Sequence, residues 1–142
     1  MNGSEPTEVA VDYRALSEFH YQIRRFLRVS EQAARQAGLE PQQHQLMLAI
    51  RGLPQGGEPT VSELAERLQV RHHSVVELID RLEQRGFVAR RRAERDRRKV
   101  LVDLTAEGER MLLALNATHR MELQEAGPEL VRLLSGLLVV KA

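Results

Sequence analysis

Apolar positions recur every three or four residues from Tyr13 through Leu16, Phe19, Ile23, Phe26, Leu27, Ala33 and Ala34 to Ala37, which places them on one face of a long helix. Gly38 can end that helix in the left-handed conformation. A second helix is predicted from Pro41, a residue suited to a first turn, through Leu46, Met47, Leu48 and Ile50 to Gly52. Leu53 to Pro59 then reads as a loop. Thr60-Val-Ser-Glu63 has the spacing of a reciprocal cap, in which Thr60 caps the helix and Glu63 reaches back to cap Thr60. It opens a short helix carrying Leu64, Ala65 and Leu68. After Gln69 and Val70 a further helix turns Val75, Leu78, Ile79 and Leu82 inward and ends at Gly86. Two short helices joined by a tight turn make a helix-turn-helix.

The period then changes. Phe87 to Arg92 and Val100 to Leu104 read as strands, the second with Val100, Val102 and Leu104 on one face, so Ala93 to Lys99 becomes a hairpin tip. Thr105 is placed to cap the next helix, which carries Met111, Leu112, Leu115, Met121 and Leu123. Gly127-Pro128 is expected to separate it from a last helical segment with Leu130, Leu133, Leu134, Leu137 and Leu138. The fold class is therefore mainly α with a small β-hairpin wing. The pattern predicts one domain over 1–142, in which a winged helix-turn-helix lobe (41–104) lies between helices at 12–37 and 106–140. These outer helices carry more large apolar residues than a small core consumes, which predicts a second covered surface and hence a homodimer.

Composition narrows the function classes. A chain of 142 residues fits one domain, and 42% hydrophobic with 29% charged residues excludes a wholly disordered protein. No run reaches the roughly 18 apolar residues of a membrane helix, and Met1 to Glu8 lacks a signal-like pattern, so no membrane association and a cytoplasmic location are expected. The absence of cysteine excludes disulfides, thiolate zinc sites and thiol-oxidation sensing. The adjacent His72 and His73 point about 100° apart on a helix and make a poor metal pair. No metal, no cofactor and no enzymatic activity are expected.

The net charge of +1 says little, but its distribution says more. Arg85, Arg90, Arg91, Arg92, Arg95, Arg97, Arg98 and Lys99 crowd one segment that holds only Glu94 and Asp96 as acids. A helix of the length of Arg71 to Arg85 fits the major groove of DNA, with its first turns nearest the base edges. Arg71, His72, His73, Ser74 and Glu77 stand there, and Arg81 follows on the same helix. Imidazole, hydroxyl and carboxylate groups can all exchange hydrogen bonds with base edges. At the hairpin tip Arg95, Arg97 and Arg98 are placed to enter the minor groove. Arg90, Arg91, Arg92 and Lys99 are expected to neutralise phosphates. Asp96 either orients a neighbouring arginine or simply favours the turn.

The segment from Leu68 to Val88, followed by Asp96-Arg-Arg-Lys-Val-Leu-Val-Asp-Leu-Thr-Ala-Glu-Gly108, resembles the MarR family of bacterial regulators. Asp96-x-Arg98 and Leu104-Thr105-x-x-Gly108 carry the likeness best. The resemblance implies a homodimer, joined by its terminal helices, that presents two recognition helices and two wings to a pseudo-palindromic operator in double-stranded DNA. It also implies that Arg98 is the minor-groove arginine and Asp96 its orienting partner. The chain departs from the family pattern at Arg71, Val76 and Glu77. Many members respond to small phenolic or other aromatic effectors, for which Tyr13, His20, Tyr21, Arg24 and His44 are the candidate contacts. The expected function is a repressor released by such a small-molecule effector. A winged-helix module for protein contacts, without sequence-specific DNA binding, is the alternative.

Overall fold

The computed structural model describes residues 12–138. Residues 1–11 of the expected domain, and Val139 and Val140 of its last helix, lie outside the described residues. Helix α1 spans Tyr13–Gln36, α2 Pro41–Arg51, α3 Val61–Leu68 and α4 His72–Gln84. Strands β1 (Val88–Arg92) and β2 (Val100–Leu104) follow, and α5 runs from Ala106 to Leu137. Among the described residues no helix is long and apolar enough to cross a membrane.

The local signals explain most boundaries. Asp12 caps α1 by accepting from the Ala15 N–H, and Gly38 leaves that helix at φ +85°. Gly86 ends the α4 region in the same way at φ +79°. Thr60 accepts from the Glu63 N–H at 3.2 Å, which is one half of the expected reciprocal cap. The other half is missing, because the Glu63 carboxylate binds Arg67 one turn on and the Thr60 N–H donates to the Glu58 carbonyl. A reciprocal cap occurs instead at α2, where Gln43 accepts from the Glu40 N–H at 3.1 Å.

The core lies under the helix-turn-helix. Leu46 and Met47 of α2, Leu64 of α3, and Val75, Ile79 and Leu82 of α4 are fully enclosed with Ala34 and Leu39, and Val102 of β2 closes the cluster. The two strands pair antiparallel, Val88 opposite Leu104 and Arg92 opposite Val100. β2 departs from simple alternation, since Leu101 is buried as well as Val102 while Val100 and Leu104 are half-buried. Leu101 shares its face with Arg91 and Asp103, whose ion pair spans that side of the hairpin. The Val102 N–H reaches the other way, to the Pro59 carbonyl at 2.9 Å, and fastens the hairpin to the loop before α3.

The expected break at Gly127-Pro128 is absent, and α5 is a single helix of 32 residues with Pro128 inside it. An interior proline removes one helix hydrogen bond and disfavours helical geometry in the residue before it, chiefly through that residue's Cβ. Gly127 has no Cβ and tolerates the position. α1 runs alongside, with Gln22, Phe26 and Val29 facing Glu122, Ala126 and Glu129 across one groove, so both halves of α5 remain docked. Leu115 and Leu133 are buried on either side of the proline. The outer faces of this α1/α5 arm leave Tyr13, Met121, Val131 and Leu138 more than 60% exposed in the single chain, the apolar surplus expected from the sequence.

Candidate nucleic-acid interface

The turn between α3 and α4 is held by Gln69, which adopts left-handed φ +53°. That geometry costs a non-glycine residue about 1–2 kcal/mol. The Gln69 side chain offsets it by donating to the Glu66 carbonyl at 2.8 Å and to the Glu66 carboxylate at 3.1 Å. Sequence reasoning passed over Gln69; its place between two periodic segments was the available signal. Arg71 precedes α4 without a side-chain capping bond. His72, His73, Glu77 and Arg81 are exposed along α4, whereas Ser74 and Val76 are half-buried. The first turns of α4 thus present imidazole, hydroxyl and carboxylate groups beside an uncapped helix N-terminus, whose free N–H groups favour phosphate.

The wing tip is built around Asp96. Its Oδ1 accepts from both the N–H and the Nε of Arg98 at 3.1 Å, and Oδ2 lies 3.4 Å from Nη2. Arg98 hydrogen bonds, first from the side chain and then from the backbone, with Lys99 nearby, hold the Asp96 carboxyl below the usual carboxylate range. The orienting role and the turn role therefore coexist, since one carboxylate binds both guanidinium and backbone. Arg98 remains 92% exposed while so braced. The tip is closed by Ala93 N–H to the Lys99 carbonyl and Lys99 N–H to the Asp96 carbonyl, both 3.0 Å. Arg92 donates to the Arg97 carbonyl at 2.8 Å.

The remaining basic residues divide. Arg90 of β1 binds Asp80 and Glu83 of α4, and its N–H also donates to Glu83, so it clamps the wing to α4 instead of joining the exposed cations. Its phosphate-neutralising assignment gives way because two carboxylates lie within reach of one half-buried guanidinium. Arg91 is paired with Asp103 and Lys99 with Glu58. Arg85 lies elsewhere, donating to the Gly38 carbonyl at 2.7 Å and stacking over Phe87 at 5.0 Å. Among the described residues of this basic run, Arg95 and Arg97 alone hold no side-chain hydrogen bond or ion pair. They stand with Arg98 at the tip.

The candidate effector contacts are not brought together within one chain. Tyr13, His20, Tyr21 and Arg24 are exposed on the first half of α1, where the Arg25 guanidinium sits over the Tyr21 ring at 5.7 Å. His44 is buried, stacked on His119, and lines a cavity of about 330 Å³ between α2 and α5 with Leu48, Arg51, Glu109 and Asn116. It meets α1 near Leu27 and Ser30, and at 1.5 Å per residue Ser30 lies roughly 9 Å past Arg24 and 25 Å past Tyr13. Periodicity put the five on neighbouring elements and could not fix their height along the helix.

A family profile described as the MarR family matches residues 37–99. The HTH-type transcriptional repressor MdtR of Bacillus subtilis (strain 168) is 38% identical over 72 residues, covering 51% of this chain and 44% of that protein. The chain spans about half the length of the curated relatives it matches. Among solved structures, a mutant MarR from E. coli complexed with operator DNA superposes with a TM-score of 0.60 at 23% identity, covering 84% of this chain and 81% of that one. CouR from Rhodococcus jostii RHA1 bound to p-coumaroyl-CoA gives a TM-score of 0.68 at 19% identity, with 94% and 98% covered. These structures share the fold, and over residues 37–99 the sequence is similar to the MarR family.

Proposed function

We propose that the chain is a sequence-specific, dimeric DNA-binding transcriptional regulator, acting as a repressor that a small molecule releases. One observation carries the reading: Arg98 is held at the wing tip by Asp96 and stays almost fully exposed beside the exposed first turns of α4. A guanidinium braced by a carboxylate loses less rotamer freedom on entering a narrow minor groove. Arg71, His72, His73, Ser74 and Glu77 then face the major groove, Arg81, Arg95 and Arg97 the phosphates. The exposed apolar faces of α1 and α5 support a second copy as the covering surface, which would give two recognition units for a pseudo-palindromic operator.

The effector part of the reading rests on the cavity between α2 and α5, which joins arm to lobe and mixes Leu48 and Leu112 with Arg51, His44 and His119. The operator complex and the p-coumaroyl-CoA complex of the two structural neighbours are consistent with both halves of this reading. Selection from a pool of random genomic fragments tests it, with a gel shift of the recovered sequence. Arg98→Ala is expected to weaken binding by about 1–3 kcal/mol, a factor of roughly 5 to 150, with the unfolding midpoint unchanged. Recovery of no preferred sequence would favour the protein-contact module and end the regulator reading.

A further inference from the structure

Three helices meet at a chain of polar side chains that the DNA-binding face does not use. Ser30 of α1 is 6% exposed, and its Oγ lies 2.6 Å from Nε2 of His119 on α5. Nδ1 of His119 lies 2.7 Å from the Leu115 carbonyl, which can only accept, so Nδ1 carries the proton. In the neutral ring Nε2 then accepts from the Ser30 hydroxyl. His44 of α2, only 2% exposed, stacks on this ring with centroids 4.8 Å apart and planes 30° apart. Ser30 and His119 belong to the arm. His44 belongs to the lobe, between Gln43 and the core residues Leu46 and Met47.

We propose that the Ser30–His119–His44 chain is a proton-responsive joint between the arm and the DNA-binding lobe, which holds when both rings are neutral and loosens on acidification. Its consequence for DNA rests on the regulator reading above. Charging His44, itself only 2% exposed, places a desolvated positive charge against the stacked ring of His119. Protonating His119 also turns Nε2 from acceptor to donor and forces the Ser30 hydroxyl to reverse. Few groups nearby can compensate. Arg51 of α2 and Glu109 of α5 line the cavity beside both rings but pair with each other at 3.4 Å. Glu31 of α1, exposed, lines the smaller cavity next to His44 and is the one carboxylate there without that commitment.

Burial first, and the neighbouring His119 second, push the His44 imidazole below its ordinary value of 6.5. The opened or unfolded chain therefore binds more protons than the folded one as pH falls through about 6.5. The joint's contribution is complete above that pH and is lost progressively below it. Because α2 packs against α3 and α4, loosening it unsettles the recognition helix.

The test compares the full chain with His44→Phe, which keeps a stacked ring and removes the titration. Unfolding midpoints are measured at pH 7.5, 6.5 and 5.5, and affinity for a selected DNA fragment is measured at constant ionic strength over the same range. Every other group of the chain is common to both proteins, so the difference between them is the quantity read. From pH 7.5 to 5.5 the wild-type affinity is expected to fall several-fold relative to His44→Phe. Its unfolding midpoint should fall by several degrees more. Parallel pH profiles for the two proteins overturn the proposal. If His44→Phe does not fold, His119→Gln and the histidine NMR titration of the wild type decide. An imidazole of His44 that titrates at 6.5 in the native spectrum overturns the joint. A pH-dependent stability difference with no selective DNA binding leaves the joint standing and removes the regulator reading, whereas selective binding with identical profiles does the reverse.

Discussion

Replacing Gly108 by alanine is expected to cost about 2–4 kcal/mol, and the reason lies in the backbone. A Cβ at Gly108 would sit 2.1 Å from the Phe87 carbonyl oxygen and 3.1 Å from its carbon. Neither atom can rotate away, so the start of α5 must retreat by roughly 1 Å to reach ordinary contact, an overpacking strain of about 1–3 kcal/mol. Two hydrogen bonds cross the same seam, from the Thr105 N–H to the Phe87 carbonyl at 3.0 Å and from the Thr105 hydroxyl to the Gly86 carbonyl at 2.6 Å. Weakening both adds about 1 kcal/mol each, and the better helix propensity of alanine returns up to about 1 kcal/mol. Urea unfolding at one fixed protomer concentration measures the difference, since stability of an associating chain depends on concentration. Gly136→Ala is the control: beyond its own stretch of helix no described atom lies within 4 Å of its Cβ position, and it should be neutral or stabilising. A Gly108→Ala protein within about 0.5 kcal/mol of wild type, with unchanged slope, would refute the steric argument.

The other predictions concern the division of the arginines and the proline in α5. Arg95→Ala should leave stability within about 0.5 kcal/mol but reduce the salt slope of DNA binding by about 1 per subunit, while Arg90→Ala should lower stability by about 1–2 kcal/mol through loss of the Asp80 and Glu83 clamp. Urea titrations and the dependence of affinity on salt separate the two, and an unchanged slope for Arg95→Ala would remove it from the interface. Pro128→Ala should restore a helix hydrogen bond and raise stability by about 1–2 kcal/mol, with α5 unbroken by NMR chemical shift; a loss of stability would show that the proline's geometry is needed for docking on α1.

Most of the fold was legible in the sequence because the decisive signals were local. Caps at Thr60 and Thr105, left-handed glycines at 38 and 86, and the inward set Val75, Leu78, Ile79 and Leu82 are each fixed within a few residues of chain. The misreadings share another cause. Gly127-Pro128 looked like a break because the pair is a local punctuation, and its suppression depends on α1 docking across the site. Leu101 looked solvent-facing because alternation cannot register the Arg91–Asp103 pair that shares its face. Glu63 fits a reciprocal cap, yet Arg67 one turn on competes for the same carboxylate. Gly108 is the converse case: a residue quoted only for resemblance proves to be required by the Phe87 carbonyl.

The charge cluster shows why counting basic residues overstates an electrostatic interface. Eight cations between Arg85 and Lys99 would suggest eight phosphate contacts per subunit. Arg90, Arg91 and Lys99 instead meet carboxylates from α4, β2 and the loop before α3, and Arg85 and Arg92 meet carbonyls. The Arg85 and Lys99 bonds reach across 47 and 41 residues of chain, and those of Arg90 and Arg91 join different elements, so no single periodic segment could reveal them. Asp96 is the exception, because it holds Arg98 from two residues away and leaves it exposed. The hairpin therefore separates two uses of arginine by position. Those near its base fasten the wing to the recognition helix and the core, and those at its tip remain available. An arginine at the base acts on DNA only by fixing where the tip stands relative to α4, which is a geometric contribution that releases no counterion from the DNA.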